Sequence, residues 1–366
     1  MKPTETLYHG GQSIWLDNIT RELLTSGTLA RYIRELSVTG LTSNPTIFDH
    51  AVKNSSAYDA AIREQLAAGL SGEALFFVLA LQDLKAAADL FRGIFDRTAG
   101  VDGWVSLEVS PLLARDARST LAEAISLHAR ASRPNLYIKI PGTLEGLPAI
   151  EEAIFAGVPI NVTLLFSPGQ YLAAAEAYLR GIERRIEAGL SANVSSVASV
   201  FISRWDVAVA GRIPERLNNT LGIAIARTAY RAYARLLASK RWRRVFNAGA
   251  RPQRLLFAST GTKDPKASDT LYVGALHAPL SVNTVPEKTL NAYADHGELG
   301  PDWVDDPSAG EEVLEAIKSA GFNVDALGKR LQDEGAASFV ASWNDLLSVI
   351  ADRSELLKAT LQQKAS

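Results

Sequence analysis

The stretch "NLYIKIPGT", residues 135–143, places one lysine inside a short apolar run that is rich in β-formers and ends at a proline and a glycine. Side chains alternate along a strand, so Ile138 and Ile140 share one face and Lys139 points to the other. Removal of a lysine from water favours the neutral amine, which can attack a ketone and form a Schiff base. Lys139 is therefore a candidate nucleophile, and it needs a carboxylate nearby as a general base.

Polar side chains also end other short β-rich runs, on the face opposite to their apolar residues. They are Asp17 in run 13–19, Asn44 in 38–44, Glu108 in 104–110, Asn161 and Thr163 in 159–166, and Ser199 in 197–203, whereas Ile160, Val162 and Leu164 are expected on the other face. Asp17 suits proton transfer from a substrate hydroxyl, Glu108 with Thr163 suits the binding of a water, and the two asparagines suit sugar hydroxyls. A buried ion-pair network of Lys139 with Asp17 and Glu108 is the structural alternative, but burial of so many polar groups costs stability.

The elements that must position these residues repeat along the chain. The five runs above and residues 136–142, which contain Lys139, make six β-rich runs. Two more follow at 254–260 and 280–286, and helical patterns lie between successive runs. Such alternation predicts parallel β/α units, and eight of them predict a closed (β/α)₈ barrel over about residues 13–286. An open doubly wound sheet is the alternative, but no G-x-G-x-x-G follows the first run. Residues 287–366 are predicted to be a helical extension packed on the barrel, within a single domain 1–366.

Candidate phosphate ligands follow the sixth and seventh runs. Ser199 and Arg204 lie at the end of the sixth run and in the segment after it, and Ser259 and Lys263 lie in the loop "STGTK" after the seventh. Arginine and hydroxyl groups suit phosphate, and loops after strands seven and eight of barrels often bind it. The alternatives are a surface ion pair of Arg204 with Asp206 and an ordinary turn.

Composition excludes several classes of function. The chain has 366 residues, 47% of them hydrophobic, with a formal net charge of −2, no cysteine and five scattered histidines. Nucleic acid and acidic membrane surfaces are therefore poor candidate partners, and neither a thiolate site nor a metal site is expected. No secretory signal and no bilayer-spanning run is visible, so we expect a cytoplasmic protein.

Five segments together resemble the transaldolase family. They are "LTSNPTIF", "SLEVSP", "YIKIPGTLEGLPAIEEA", "INVTLLFS" and "SVFISRWD", in the expected order. The resemblance implies a Schiff-base-forming (β/α)₈ barrel that needs no cofactor. It also implies roles for single residues: Lys139 as the Schiff-base lysine, Asp17 as the acid/base at the C4 hydroxyl, Glu108 and Thr163 at the catalytic water, Asn44 and Asn161 at the dihydroxyacetone part, Phe201 in the pocket wall, and Ser199 and Arg204 at phosphate.

One position departs from the family pattern. Many members carry a second phosphate-binding arginine shortly after the seventh strand, where this chain has "STGTK", so Lys263 with Ser259 is the expected substitute. The expected activity is transfer of a dihydroxyacetone unit from sedoheptulose 7-phosphate or fructose 6-phosphate to glyceraldehyde 3-phosphate or erythrose 4-phosphate, in the pentose phosphate pathway. Two alternatives are an aldolase that releases dihydroxyacetone and a non-catalytic barrel that binds sugar phosphates. The presence of both Lys139 and Asp17 argues against the second.

Overall fold

A computed structural model describes residues 1–306, 308 and 310–365, and its centre is a closed barrel of eight parallel strands in chain order. The strands are β1 (Gln12–Asp17), β2 (Val38–Thr42), β3 (Trp104–Glu108), β4 (Leu136–Pro141), β5 (Ile160–Leu165), β6 (Ser196–Phe201), β7 (Gln253–Ala258) and β8 (Ser281–Val285). β1 pairs with β2 on one side and with β8 on the other, which closes the barrel. Each strand overlaps a predicted run, and the predicted (β/α)₈ fold is confirmed.

Helices surround the barrel and continue after its last strand. They are α1 (Pro3–His9), α2 (Arg21–Thr25), α3 (Thr28–Glu35), α4 (Pro45–Asn54), α5 (Asp59–Ala67), α6 (Gly72–Arg97), α7 (Ala117–Ala131), α8 (Gly146–Ala156), α9 (Pro168–Glu187), α10 (Ser203–Val209), α11 (Leu221–Leu237), α12 (Lys240–Asn247), α13 (Leu271–Ala275), α14 (Glu287–His296), α15 (Glu311–Ser319) and α16 (Val324–Ala365). None of the helices in the described ranges is long and apolar enough to cross a membrane.

The end of the barrel at the start of its strands is closed by a polar network. The Trp15 indole donates to Asp102 Oδ1 at 2.8 Å, and the Arg254 guanidinium donates to Ser13 Oγ at 2.6 Å. Ser13 donates in turn to Asp102, which lies 3.9 Å from Arg254. These side chains fill the lower interior, and the end where the strands finish is where barrels of this kind place their active sites.

β5 contains a bulge near its end, which corrects one expectation from its alternating pattern. Val162 pairs with Ala198 and Leu165 with Val200, so β5 has one residue more than β6 between these pairs. Leu164 takes the left-handed conformation, with φ of 58°. Leu164 was expected on the outer face with Val162, but Leu165 takes that place because the extra residue shifts the alternation.

α16 is 42 residues long and runs over the mouth of the barrel. It packs against α4, α5, α6, α10 and the end of β5. The Trp343 ring meets the Phe76 ring edge-on at 5.0 Å between centroids, and Arg353 pairs with Asp59 at 2.7 Å. One consequence is that residues far beyond the last strand reach the centre of the barrel mouth.

Candidate active site

Lys139 lies near the end of β4, inside the barrel, with only 5% of its surface exposed. Its neighbours in the sheet register are Glu108 on β3 and Asn161 on β5. Lys139 Nζ donates to the backbone oxygen of Ser43 at 2.9 Å and lies 3.5 Å from Glu108 Oε2. The amine is thereby held at the barrel mouth by one carbonyl and one carboxylate.

Glu108 and Thr163 flank this amine with unused hydrogen-bonding capacity. Both carboxylate oxygens of Glu108 and the Thr163 hydroxyl are buried and have no hydrogen-bond partner within the described residues. Burial raises the pKa of Glu108, and the charge of Lys139 acts in the opposite direction. A buried acceptor and a buried hydroxyl without partners are suited to bind a water between them, because such groups are otherwise costly to bury.

Asp17, at the end of β1, is oriented by two threonines from the strands on either side. Thr42 of β2 donates to Asp17 Oδ1 at 2.8 Å, and its oxygen lies 2.7 Å from the Thr284 oxygen of β8. Since Thr42 has a single hydroxyl hydrogen, Thr284 must donate to Thr42. Burial raises the pKa of Asp17, while Lys139 and the Thr42 hydrogen bond oppose the rise.

The asparagines are held by different partners. Ser199 donates to Asn161 Oδ1 at 2.7 Å, and Asn161 Nδ2 lies 3.2 Å from Ser106 Oγ, so the Asn161 amide is fixed in orientation. Asn44 precedes α4 and caps its start, since its Oδ1 accepts from the backbone nitrogen of Ile47 at 3.1 Å. This bond leaves the Asn44 amide nitrogen available to a ligand. The Ser199 hydroxyl hydrogen, by contrast, is already committed to Asn161.

Arg204 follows the sixth strand, in the first turn of α10. Its guanidinium carbon lies 5.2 Å from the centre of the Phe201 ring, and it makes no hydrogen bond or ion pair within the described part of the chain. Burial lowers its pKa, and the charge of Glu334 opposes this effect. A half-buried guanidinium with five free donors is suited to bind an anion.

The expected alternative for Arg204, an ion pair with Asp206, is not formed. The Asp206 carboxylate instead accepts from the backbone of Leu221 and Gly222, at 2.9 Å and 3.1 Å, and from Tyr272 Oη at 2.8 Å. Burial raises the pKa of Asp206 to about 6. Asp206 thus holds the start of α11.

The loop after β7 brings a second cation to the pocket. Ser259 is in the left-handed conformation, with φ of 56°, and its oxygen lies 3.0 Å from Ser203 Oγ. Lys263 lies further along this loop, is exposed and lines the same pocket. Its charge lowers the pKa of Asp17, although the effect is smaller than that of Lys139.

One pocket of about 550 Å³ contains most of the residues predicted from the sequence. Its walls include Asp17, Asn44, Lys139, Thr163, Ser199, Phe201, Arg204, Ser259 and Lys263. Glu108 and Asn161 are outside its lining and lie beside Lys139 in the sheet. The geometry therefore joins a buried amine, two carboxylates and two cations in one place.

Four residues that contribute to this site were not predicted as site residues. Thr42 and Thr284 follow the inward pattern of their strands, a signal that was available for both. Phe339 and Ser338 of α16 also line the pocket, and the Phe339 ring centre is 6.0 Å from Lys139 Nζ. No local pattern in the sequence indicates that α16 reaches the barrel mouth.

Comparison with known proteins assigns the chain to a family. Residues 14–350 match the family model described as transaldolase/fructose-6-phosphate aldolase. Proteins named transaldolase from Thermobifida fusca (44% identical over 96% of this chain and 98% of that protein), Frankia alni (43%, 96% and 97%) and Saccharopolyspora erythraea (43%, 97% and 98%) match over nearly their full lengths. The chain therefore belongs to the transaldolase/fructose-6-phosphate aldolase family.

Proposed function

We propose that this protein is a transaldolase that transfers a dihydroxyacetone unit between sugar phosphates, as expected from its sequence, in the pentose phosphate pathway of the cytoplasm. The observation that carries the proposal is the amine of Lys139, buried 3.5 Å from Glu108 at the base of a pocket that also holds Asp17, Arg204 and Lys263. An amine, a base and cations for phosphate are the groups that this reaction requires.

The first stage is formation of the Schiff base. The neutral amine of Lys139 attacks the C2 carbonyl of a ketose phosphate, and the resulting carbinolamine loses water to give an iminium. Glu108 and Thr163 are the groups proposed to hold that water and to exchange its protons, which is supported by their unused hydrogen-bonding capacity beside the amine. Asn44 and Asn161 are proposed to bind the hydroxyls of the dihydroxyacetone part.

The second stage is cleavage of the C3–C4 bond. Asp17 removes the proton from the C4 hydroxyl, the bond breaks, and its electron pair passes into the iminium to leave an enamine on Lys139. The aldose phosphate departs and another aldose phosphate takes its place. The enamine carbon attacks the new aldehyde, Asp17 returns the proton to the new hydroxyl, and water releases the ketose.

The phosphate of each sugar is proposed to lie against Arg204 and Lys263, with Ser259 and Ser199 nearby. The support for this is that Arg204 lines the pocket and makes no hydrogen bond or ion pair in the described ranges, whereas Arg241 on α12, outside the pocket, has two carboxylate partners. The helices after β8 are proposed to belong to the same domain as the barrel, because α16 contributes Phe339 to the pocket wall.

Transfer is favoured over release of dihydroxyacetone by the two phenylalanines of the pocket, Phe201 and Phe339. Their rings restrict water near the enamine, and protonation of the enamine carbon would be the step that commits it to release. An aldolase that releases dihydroxyacetone remains the second candidate.

One assay separates the possible activities. The enzyme is incubated with fructose 6-phosphate, with or without erythrose 4-phosphate, and sedoheptulose 7-phosphate, glyceraldehyde 3-phosphate and free dihydroxyacetone are measured. A transaldolase makes sedoheptulose 7-phosphate and little free dihydroxyacetone, an aldolase makes free dihydroxyacetone without the acceptor, and a binding protein makes neither. Borohydride added with fructose 6-phosphate should attach a three-carbon unit to the peptide that contains Lys139. Lys139→Arg keeps the positive charge, is not a nucleophile and should show neither transfer nor adduct.

A further inference from the structure

The side of α16 that faces the barrel carries a row of four residues, Gly328, Gln332, Gly335 and Phe339, which we call the inner face of α16. Their spacing of three and four residues places them on one side of the helix. A Cβ at position 328 would lie 3.1 Å from the Trp205 ring, and Phe339 reaches the pocket beside Lys139. This row lies across the ends of the strands that carry Lys139 and Thr163.

Gln332 is the polar member of this row and is 9% exposed. Its side-chain nitrogen donates to the backbone oxygen of Gly142 at 3.1 Å and to that of Leu164 at 2.9 Å. A side-chain amide nitrogen has two hydrogens, so one can serve each carbonyl. Gly142 follows β4 three residues after Lys139, and Leu164 comes directly after Thr163.

The Leu164 carbonyl belongs to the bulge of β5, and the Gly142 carbonyl lies just after the end of the neighbouring strand β4. The backbone nitrogen of Gly142 donates to the Thr163 oxygen at 2.8 Å, which joins the two strand ends on one side. The Gln332 amide joins the two strand ends on the other side, at Leu164, whose φ is 58°. Left-handed backbone is costly for a leucine and persists only where surrounding contacts hold it.

Gly335 allows this close approach of helix and bulge. A Cβ at position 335 would lie 3.0 Å from Leu164 Cδ2 and 3.3 Å from Arg204 Nη1. Such distances leave no room for a side chain without a shift of the neighbours. The backbone of α16 therefore packs directly against Leu164 and lies beside Arg204.

From these contacts we propose that Gln332 is a positioning residue for catalysis: it holds the β5 bulge so that the Thr163 hydroxyl faces the amine of Lys139 and the carboxylate of Glu108. The inference rests on the proposed Schiff-base chemistry and assigns Gln332 to the steps that move water, namely formation and hydrolysis of the imine. Gln332 itself does not touch the substrate.

Gln332→Met tests this, because methionine has a similar length and no hydrogen-bond donor. The rate at which borohydride traps the fructose 6-phosphate adduct is measured per folded enzyme, with the folded fraction taken from thermal unfolding. We expect a loss of about 10- to 100-fold, the size expected for a displacement of a catalytic group by about 1 Å. Lys329→Met, on the same helix and 73% exposed at its side chain, is the matched control and should keep the wild-type rate.

A double variant shows whether Gln332 acts through Thr163. Thr163→Val removes the hydroxyl but keeps the shape. If Gln332 serves only to aim that hydroxyl, Gln332→Met should add little to the loss already caused by Thr163→Val. Losses that multiply would overturn the proposal, and so would a variant that unfolds at lower temperature but traps at the normal rate. If the methionine variant does not fold, Gln332→Asn takes its place, because the asparagine side chain is too short to reach both carbonyls. The same loss in trapping rate per folded enzyme is expected. A wild-type enzyme that traps no adduct would instead refute the proposed function itself.

Discussion

Glu108 and Lys139 are register partners on the adjacent strands β3 and β4, and the carboxylate oxygen Oε2 lies 3.5 Å from the amine nitrogen. This distance is longer than an ordinary hydrogen bond, so the carboxylate is close to the amine and still free to accept from a third group. Asp17 is on β1 and has a different partner, Thr42. The two carboxylates are therefore suited to different steps of one reaction.

Replacement of Glu108 should slow the appearance of the Schiff base. Glu108→Gln keeps the shape of the side chain and removes its ability to exchange protons with water. Loss of a general acid or base typically costs about 10²–10⁴-fold in rate. A time course of borohydride trapping with fructose 6-phosphate, read by mass, measures the effect. Normal trapping with slow cleavage would show that Glu108 serves the cleavage step instead.

Replacement of Asp17 should block cleavage after the Schiff base has formed. Asp17→Asn still has an amine that can attack the ketose, but no base for the C4 hydroxyl. Trapping should therefore give mainly the six-carbon adduct from fructose 6-phosphate, whereas the wild type gives mainly the three-carbon adduct. If Asp17→Asn gives no adduct, or the three-carbon adduct at the normal rate, the assignment of Asp17 is wrong.

Thr42 should influence the pH dependence of the enzyme through the pKa of Asp17. Asp17 must be ionised to act as a base, so kcat/KM should fall as the pH drops through its pKa, which burial has raised. Thr42→Val removes a hydrogen bond that favours the carboxylate, so the pKa rises further and the fall should begin at higher pH. Thr42→Ser keeps the donor and should keep the wild-type profile. An unchanged profile in Thr42→Val would mean that another group controls the acid limb.

Arg204 should matter much more for phosphorylated substrates than for unphosphorylated ones. A hydrogen bond to a charged group contributes about 1.5–3 kcal/mol, so Arg204→Ala should raise KM for fructose 6-phosphate by roughly 10- to 150-fold. Fructose should be affected much less. Arg212→Ala is the matched control, because Arg212 also lies over a phenylalanine ring, Phe322, at 5.1 Å but does not line the pocket. Equal losses on both sugars would make Arg204 structural or catalytic.

The interior residues of the strands were predictable from the sequence because strand alternation is local. Asp17, Glu108 and Lys139 each follow a period of two within their own runs, and closure of the barrel brings them together. The orientation of Leu164 was not predictable in this way. Its conformation is held by the side chain of Gln332, which lies 168 residues further along the chain.

The remaining parts of the site also depend on contacts between residues that are far apart in the sequence. Phe339 is one of several apolar residues on a long helix, and only the packing of α16 on α4 and α6 brings it to Lys139. Ser199 was predicted at phosphate from its position, but the structure commits its hydroxyl hydrogen to Asn161. A single sequence indicates on which face of a strand a side chain lies. It does not show which neighbouring group forms a hydrogen bond with that side chain.

Closure of the barrel between β1 and β8 has a consequence for the nascent protein. Gln12 and Ser281, which are joined across this seam, are 269 residues apart in the chain. At a synthesis rate of 5–20 residues per second, β8 leaves the ribosome about 13 to 54 s after β1. During that interval one edge of β1 has no strand to pair with, and an unpaired edge can recruit other chains. This interval is where we expect the growing polypeptide to depend most on chaperones.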